Sequence, residues 1–255
     1  MLCKLCLEDK ELIGKSHIIS NFLLKELLSD DGYILKKNLI TGKVEKLYTG
    51  EFEKNILCAN CDNNILGKLE AYGHRVLYTD SIKELILKNE RSSDGAEWIS
   101  CNGVDYKKFK LFLLSILWRL SISNLESYGF VYLDEYEDEL RKMIINDDPG
   151  DVMDFPCFIG SYRRYNDLPF KILSQPMKKI INGNVFYTIA ISGFVYNFCA
   201  SKNLADVDIE KIVINKNNHL KILQIPKDHA KRIIENNAGL NSDPLKNKGD
   251  DLYNI

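Results

Sequence analysis

Two Cys-x-x-Cys pairs, Cys3/Cys6 and Cys58/Cys61, are the residues of this chain best suited to chemistry. Each pair offers two soft sulfurs from one tight turn. Two such pairs make the four-thiolate set that closes a tetrahedron around Zn²⁺. His17 lies between the pairs, and Asp62 directly follows the last cysteine. An imidazole and a carboxylate placed beside a zinc site point to a second, working metal close by. The stretch from residue 7 to residue 57 is longer than in a minimal zinc finger, but it need only loop back.

The setting of these residues is that of an ordinary globular chain. Of 255 residues, 45% are hydrophobic and 27% charged, enough to bury a core of one large or two small domains. The net charge of −2 excludes global basic character, so nucleic-acid binding requires a local patch. Arg163-Arg164 between Tyr162 and Tyr165 is one candidate, with stacking surfaces beside the cations. Lys107 and Lys108, at a helix start where the dipole disfavours them, are another. Seven cysteines is an odd number; Cys101, Cys157 and Cys199 sit among apolar or small residues and are expected as buried free thiols. No apolar run follows Met1, so a cytoplasmic, reducing setting is expected, with metal ligation in place of disulfides. Segments 109–122 and 185–200 are the most apolar. Arg119 interrupts the first and Ser192-Gly193 the second, and both are expected in the core, not in a membrane.

The elements that must position the chemistry follow from periodicity. Residues 16–19 read as a short β run and 21–28 as a short helix. A hairpin is expected over 33–52, with its tip at 40–43. A helix starts at Asp62 and continues toward Leu87, and the polar run 88–95 is the expected boundary. Residues 96–150 read as helical. The first helix spans 105–123, capped by Asp105 and apolar around most of its circumference; the second spans 134–145. Residues 155–255 read as mostly antiparallel β. Strands are expected at 185–191 and 194–199, a hairpin pairs 211–215 with 220–225, and a last helix covers 228–236 before a frayed tail. The expectation is an α+β fold: a zinc module over residues 1–90, then a helical plus β-rich domain over 96–255.

Within the first module, a knuckle, a hairpin and a knuckle leading into a helix resemble the treble-clef zinc finger. The order Cys-x-x-Cys, His-Ile-Ile, then Leu-Cys-x-x-Cys-Asp resembles more particularly the HNH or ββα-metal nucleases of the recombination endonuclease VII type. The resemblance covers residues 1–75. It implies that His17 is the general base and that Asp62 holds a catalytic Mg²⁺ or Mn²⁺. It also implies that Cys3, Cys6, Cys58 and Cys61 hold a structural Zn²⁺. Ser16 stands where the family carries an aspartate, and Asn55 is the nearest counterpart of the family's histidine-orienting asparagine. Glu70 and His74 fall about 12 and 18 Å farther along the helix by its rise, where salt-bridge or surface roles are expected. The implied activity is phosphodiester hydrolysis, of DNA more than RNA, in restriction or phage defence. The larger remainder would select substrate, dimerise or contact a protein partner. Ser16 keeps a second reading open: a catalytically silent treble-clef protein that binds nucleic acid or another protein.

Overall fold

The computed structural model describes residues 1–29, 31–37, 44–78, 87–93, 95–128, 131–201, 204, 209 and 211–238. The N-terminal elements are β1 (Ser16–His17), α1 (Asn21–Lys25), β2 (Ile34–Lys37), β3 (Val44–Leu47) and β4 (Phe52–Glu53). A π-helical segment, Asn60–Leu66, then runs into α2 (Gly67–Tyr78). Next come β5 (Leu87–Arg91), β6 (Glu97–Asn102), α3 (Tyr106–Ile122) and α4 (Tyr136–Ile145). The remainder is β7 (Cys157–Ser161), β8 (Met177–Ile181), β9 (Asn184–Ile191), β10 (Phe194–Cys199), β11 (His219–Gln224) and α5 (Lys227–Ala238).

The fold is mixed α+β, as the periodicity implies. Its main sheet has seven strands in the order β5-β6-β11-β7-β10-β9-β8, antiparallel except where β11 runs parallel to β7. Two tight turns make the β8-β9-β10 meander. Asn182-Gly183 and Ser192-Gly193 all have positive φ, the conformation that two-residue hairpin turns of matching twist require. Strand alternation divides the sheet into two faces. Cys157, Ile159, Tyr187, Ile189, Tyr196, Phe198, Leu220 and Ile222 point into the main core. Their neighbours point to the opposite face, where two smaller cores form. One gathers Ala190 and Val195 under Ala230 and Ile233 of α5; the other gathers Phe158, Phe186, Ile209 and Val213.

Helix α3 occupies the centre, packed against α2, α4 and β7. Asp105 caps it by accepting from the Lys108 N–H at 3.0 Å. Its apolar circumference is buried on every side, together with Lys110 and Arg119. Gly73 of α2 lets this helix approach, because a Cβ there would stand 2.6 Å from the Phe112 ring. No helix among the described residues is long and apolar enough to cross a membrane.

Three local features differ from the reading of the sequence. Residues 97–102, within the segment read as helical, form β6, whose partner β11 lies far away in the chain. Residues 211–215 are not the first arm of a hairpin. Ile212 and Val213 turn into the second outer core, and only Asn215 bridges to His219. Within the polar run 88–95, residues 88–91 belong to β5, which pairs with β6. The main core is continuous from Cys3 to Ile222, across that run. The hairpin tip 40–43 and the tail beyond 238 lie outside the described residues.

Candidate metal centre

Backbone hydrogen bonds by themselves tie the two cysteine pairs together. Ile13 donates to Leu57 at 2.9 Å, Asn55 to Ile13 at 3.1 Å and Lys4 to Ile56 at 2.9 Å, and Leu12 bridges Cys58. Leu7 takes a positive φ of 59° as the first turn closes, and its N–H donates to the Cys3 carbonyl at 2.9 Å. The second pair leads into the helix, where the Asp62 N–H donates to the Cys58 carbonyl at 3.0 Å. The first turn is also anchored from outside. Lys4 Nζ donates to the Ile122 carbonyl at the end of α3, and Arg141 of α4 donates to the Leu5 carbonyl.

All four sulfurs lie within 4.8 Å of one another. Four sulfurs at about 2.3 Å from one tetrahedral ion would be separated by about 3.8 Å, so the set fits a metal such as zinc with small adjustments. Cys3, Cys58 and Cys61 are buried and Cys6 is half-buried. Burial pushes the Cys3 thiol up, but backbone N–H groups from Cys6, Cys58 and Leu5 outweigh it and bring the thiol down to about 7. Burial and the neighbouring sulfurs push Cys61 far up. Cys3 and Cys61 are thus pushed in opposite directions within a small volume, and a divalent cation among the sulfurs would favour the thiolate form of its ligands. Cys101, Cys157 and Cys199 are buried free thiols, as their sequence surroundings imply.

His17 stands on β1, which pairs with β4 so that His17 opposes Phe52. The two rings meet edge to face at 6.2 Å. Gly50 backs the imidazole; a Cβ there would lie 3.3 Å from His17 Cδ2 and 2.0 Å from Leu24 Cδ1. Burial lowers the His17 pKa below its ordinary 6.5, opposed by the charges of Glu70 and Asp62 and reinforced by Arg119 and Lys15. Asp62 is half-buried in the first turn after Cys61. Burial raises its pKa, and Glu70 adds to this, while Arg119, Ser16 and His17 favour its charged form. Ser16 Oγ is buried and faces Asp62 without closing a hydrogen bond of ordinary geometry.

Behind these two residues lies a network that local reading of the sequence does not reach. Arg119, 2% exposed, donates to the His17 carbonyl at 3.2 Å and to Ser20 Oγ at 2.9 Å, and pairs with Glu70. Ser20 Oγ in turn donates to Glu70 at 3.0 Å. The available signal was Arg119 itself, because a cation inside an apolar stretch of helix requires a buried acceptor. Glu70 thus has the salt-bridge role expected of it. His74 packs edge-on against Phe22 and stacks on Tyr78. Asn55 serves the turn before the second knuckle, with φ 58° and an exposed side chain. Among the described residues, the four cysteines are the only group of three or more metal-ligating side chains close enough to share an ion. His17, Asp62 and Glu70 share an electrostatic environment without converging that tightly.

The four basic residues singled out for nucleic acid are all held by carboxylates. Lys107 pairs with Asp147, Lys108 with Asp105, Arg164 with Glu97 and Arg163 with Glu26. Arg163 also lies over the rings of Tyr78, Phe170 and Phe194, and Arg164 over Tyr165. Compared with protein-family models, curated proteins and solved structures, the chain matches none.

Proposed function

We propose that this chain is a metal-dependent endonuclease of HNH type, hydrolysing phosphodiester bonds of nucleic acid, DNA in preference to RNA. The observation that carries the reading is the four-cysteine cluster, whose second pair leads directly into the helix that carries Asp62. The cysteines would hold a structural Zn²⁺ and thereby fix the start of the helix that carries Asp62. A Mg²⁺ or Mn²⁺ bound through Asp62 would neutralise charge on the scissile phosphate. His17 supplies the base. Its burial disfavours imidazolium, so the ring is neutral near pH 7 and free to accept a proton from water at a ring nitrogen. Arg119, by holding the His17 carbonyl, keeps β1 in place relative to α2. A cytoplasmic role in restriction or phage defence accords with such an activity.

The second reading is a silent treble-clef module that binds nucleic acid or a protein partner. Ser16 in place of a carboxylate, and Glu70 committed to Arg119, favour it. One experiment separates the two. Plasmid, linear DNA and RNA are incubated with the zinc-loaded protein and Mg²⁺ or Mn²⁺, beside His17→Ala and Asp62→Asn. The endonuclease reading expects cleavage that falls about 10²–10⁴-fold in His17→Ala, the usual worth of a general base. It also expects an acid limb in the pH–rate profile with its midpoint below 6.5, because the folded protein holds His17 neutral to lower pH than free imidazole. Absence of cleavage on every substrate, with zinc bound, leaves the binding module.

A further inference from the structure

The outer face of the main sheet is covered at two places and open between them. One minor core sits under α5 and the other gathers around Ile209 and Val213, and a cavity of about 590 Å³ lies in the gap. That volume falls within the roughly 300–1,000 Å³ of small-molecule sites. Its walls are apolar. Phe158 of β7, Val195 of β10 and Leu223 of β11 line it from the sheet, and Ile225 and Ile233 line it from the segment that enters α5 and from α5 itself. Gly160 lets Ile225 settle onto the sheet, because a Cβ there would stand 2.8 Å from Ile225 Cδ1. A polar pair on the floor is closed on itself: the Thr188 hydroxyl donates to Asn197 Oδ1 at 2.9 Å, and Asn197 Nδ2 donates to the Val195 carbonyl at 3.3 Å.

The charged groups around the cavity are already engaged within the protein. Arg91 and Arg164 pair with Glu97, Lys227 pairs with Asp167, and Lys179 is not free either. A charged ligand would give up hydration here and meet no free counter-ion. Two neutral hydrogen-bonding groups do stay open. His229 and Ile233 stand one turn apart on α5, and both line the cavity. The His229 imidazole makes no hydrogen bond or ion pair with a described residue. Gln224 uses its amide nitrogen on the Ile222 carbonyl at 3.4 Å, and its side-chain oxygen accepts from no described residue. An imidazole nitrogen and an amide oxygen both accept from an O–H or N–H donor.

We propose that this cavity binds a neutral, mainly apolar ring compound with one hydroxyl or amide donor, its ring over Val195 and Phe158 and its donor at His229 or Gln224. The site lies on the sheet face away from α3 and is independent of the endonuclease reading. The test titrates the neutral dye N-phenyl-1-naphthylamine into the full chain, follows its fluorescence, and then displaces it with 2-naphthol, 2-methylnaphthalene or 2-naphthoate. Saturable uptake of one dye per chain is expected. The naphthol should displace it at about five-fold lower concentration than the methyl compound, the usual worth of one net hydrogen bond. The naphthoate, which differs in bringing a charge, should need at least ten-fold more than the naphthol. His229→Phe should bring the naphthol and the methyl compound close to equal while the dye still binds, and His229→Asn, which keeps a donor and an acceptor, should retain part of the preference. Met177→Trp, which narrows the cavity from the edge strand, should weaken all of them. Circular dichroism establishes that each variant is folded. Unsaturable uptake, naphthoate as tight as naphthol, a naphthol preference absent from the parent or unchanged in folded His229→Phe, or affinity unchanged in folded Met177→Trp overturns the proposal.

Discussion

Arg119 brings a full positive charge to the middle of the molecule, and three oxygens outside its own helix receive it: the Ser20 hydroxyl, the Glu70 carboxylate and the His17 carbonyl. A charge so buried is tolerated only when every donor is satisfied, so the residue is a point of strong commitment. Replacing it by Met keeps the volume and removes the charge, leaving Glu70, 26% exposed, without its partner. Breaking a buried pair from one side costs about 3–5 kcal/mol, and the partial exposure of Glu70 puts Arg119→Met near the lower figure. Urea unfolding measures this loss, and the double variant Arg119→Met/Glu70→Gln should recover part of it. A single-variant loss under 1 kcal/mol would show that the pair contributes little. The cysteine pairs were legible in the sequence because metal ligation imposes a local spacing. The Arg119 network was not, because it joins residues from three separate elements.

At the scale of elements, the crossing of α2 and α3 depends on Gly73, where the Phe112 ring occupies the place of a side chain. Two effects compete in Gly73→Ala. Alanine gains up to about 1 kcal/mol in helix propensity, whereas overpacking a filled core costs about 1–3 kcal/mol. Phe112 is fully buried and has nowhere to move, so overpacking wins and thermal unfolding should register a net loss. Gly67, with only ordinary contact to the Asp62 carbonyl at 3.5 Å, is the control. There propensity acts alone, and Gly67→Ala should be neutral or stabilising. If both substitutions behave alike, the packing account of this crossing fails. Helix α3 was legible because its apolar run and its capping Asp105 are local signals. Strand β6 was not, since its pairing with β11 is decided by residues more than a hundred positions away.

Across the whole molecule, the cysteine cluster and the sheet share one core. Cys3, Cys58 and Cys61 belong to the same buried assembly as α3 and the inner face of β7, β9, β10 and β11. Removal of the metal should therefore be felt throughout the fold. Metal analysis is expected to find one zinc per chain. Dialysis against a strong chelator should lower the melting temperature of the whole protein by 10 °C or more, on the order of a lost structural metal. Protons compete with the metal for thiolates, so release should ease as pH falls. An unchanged melting temperature in verified metal-free protein would mean that the cluster is not structural. The α+β class was evident from periodicity, whereas strand β5 was hidden by the polarity of residues 88–91. The place of β11 has a further consequence. This strand comes last in the sheet's chain order yet lies between β6 and β7, so until it arrives the sheet exists as two unjoined halves with open edges. During synthesis those edges wait until residues 219–224 have left the ribosome, a delay that exposes the nascent chain to misassociation and makes closure of the sheet a late step of folding.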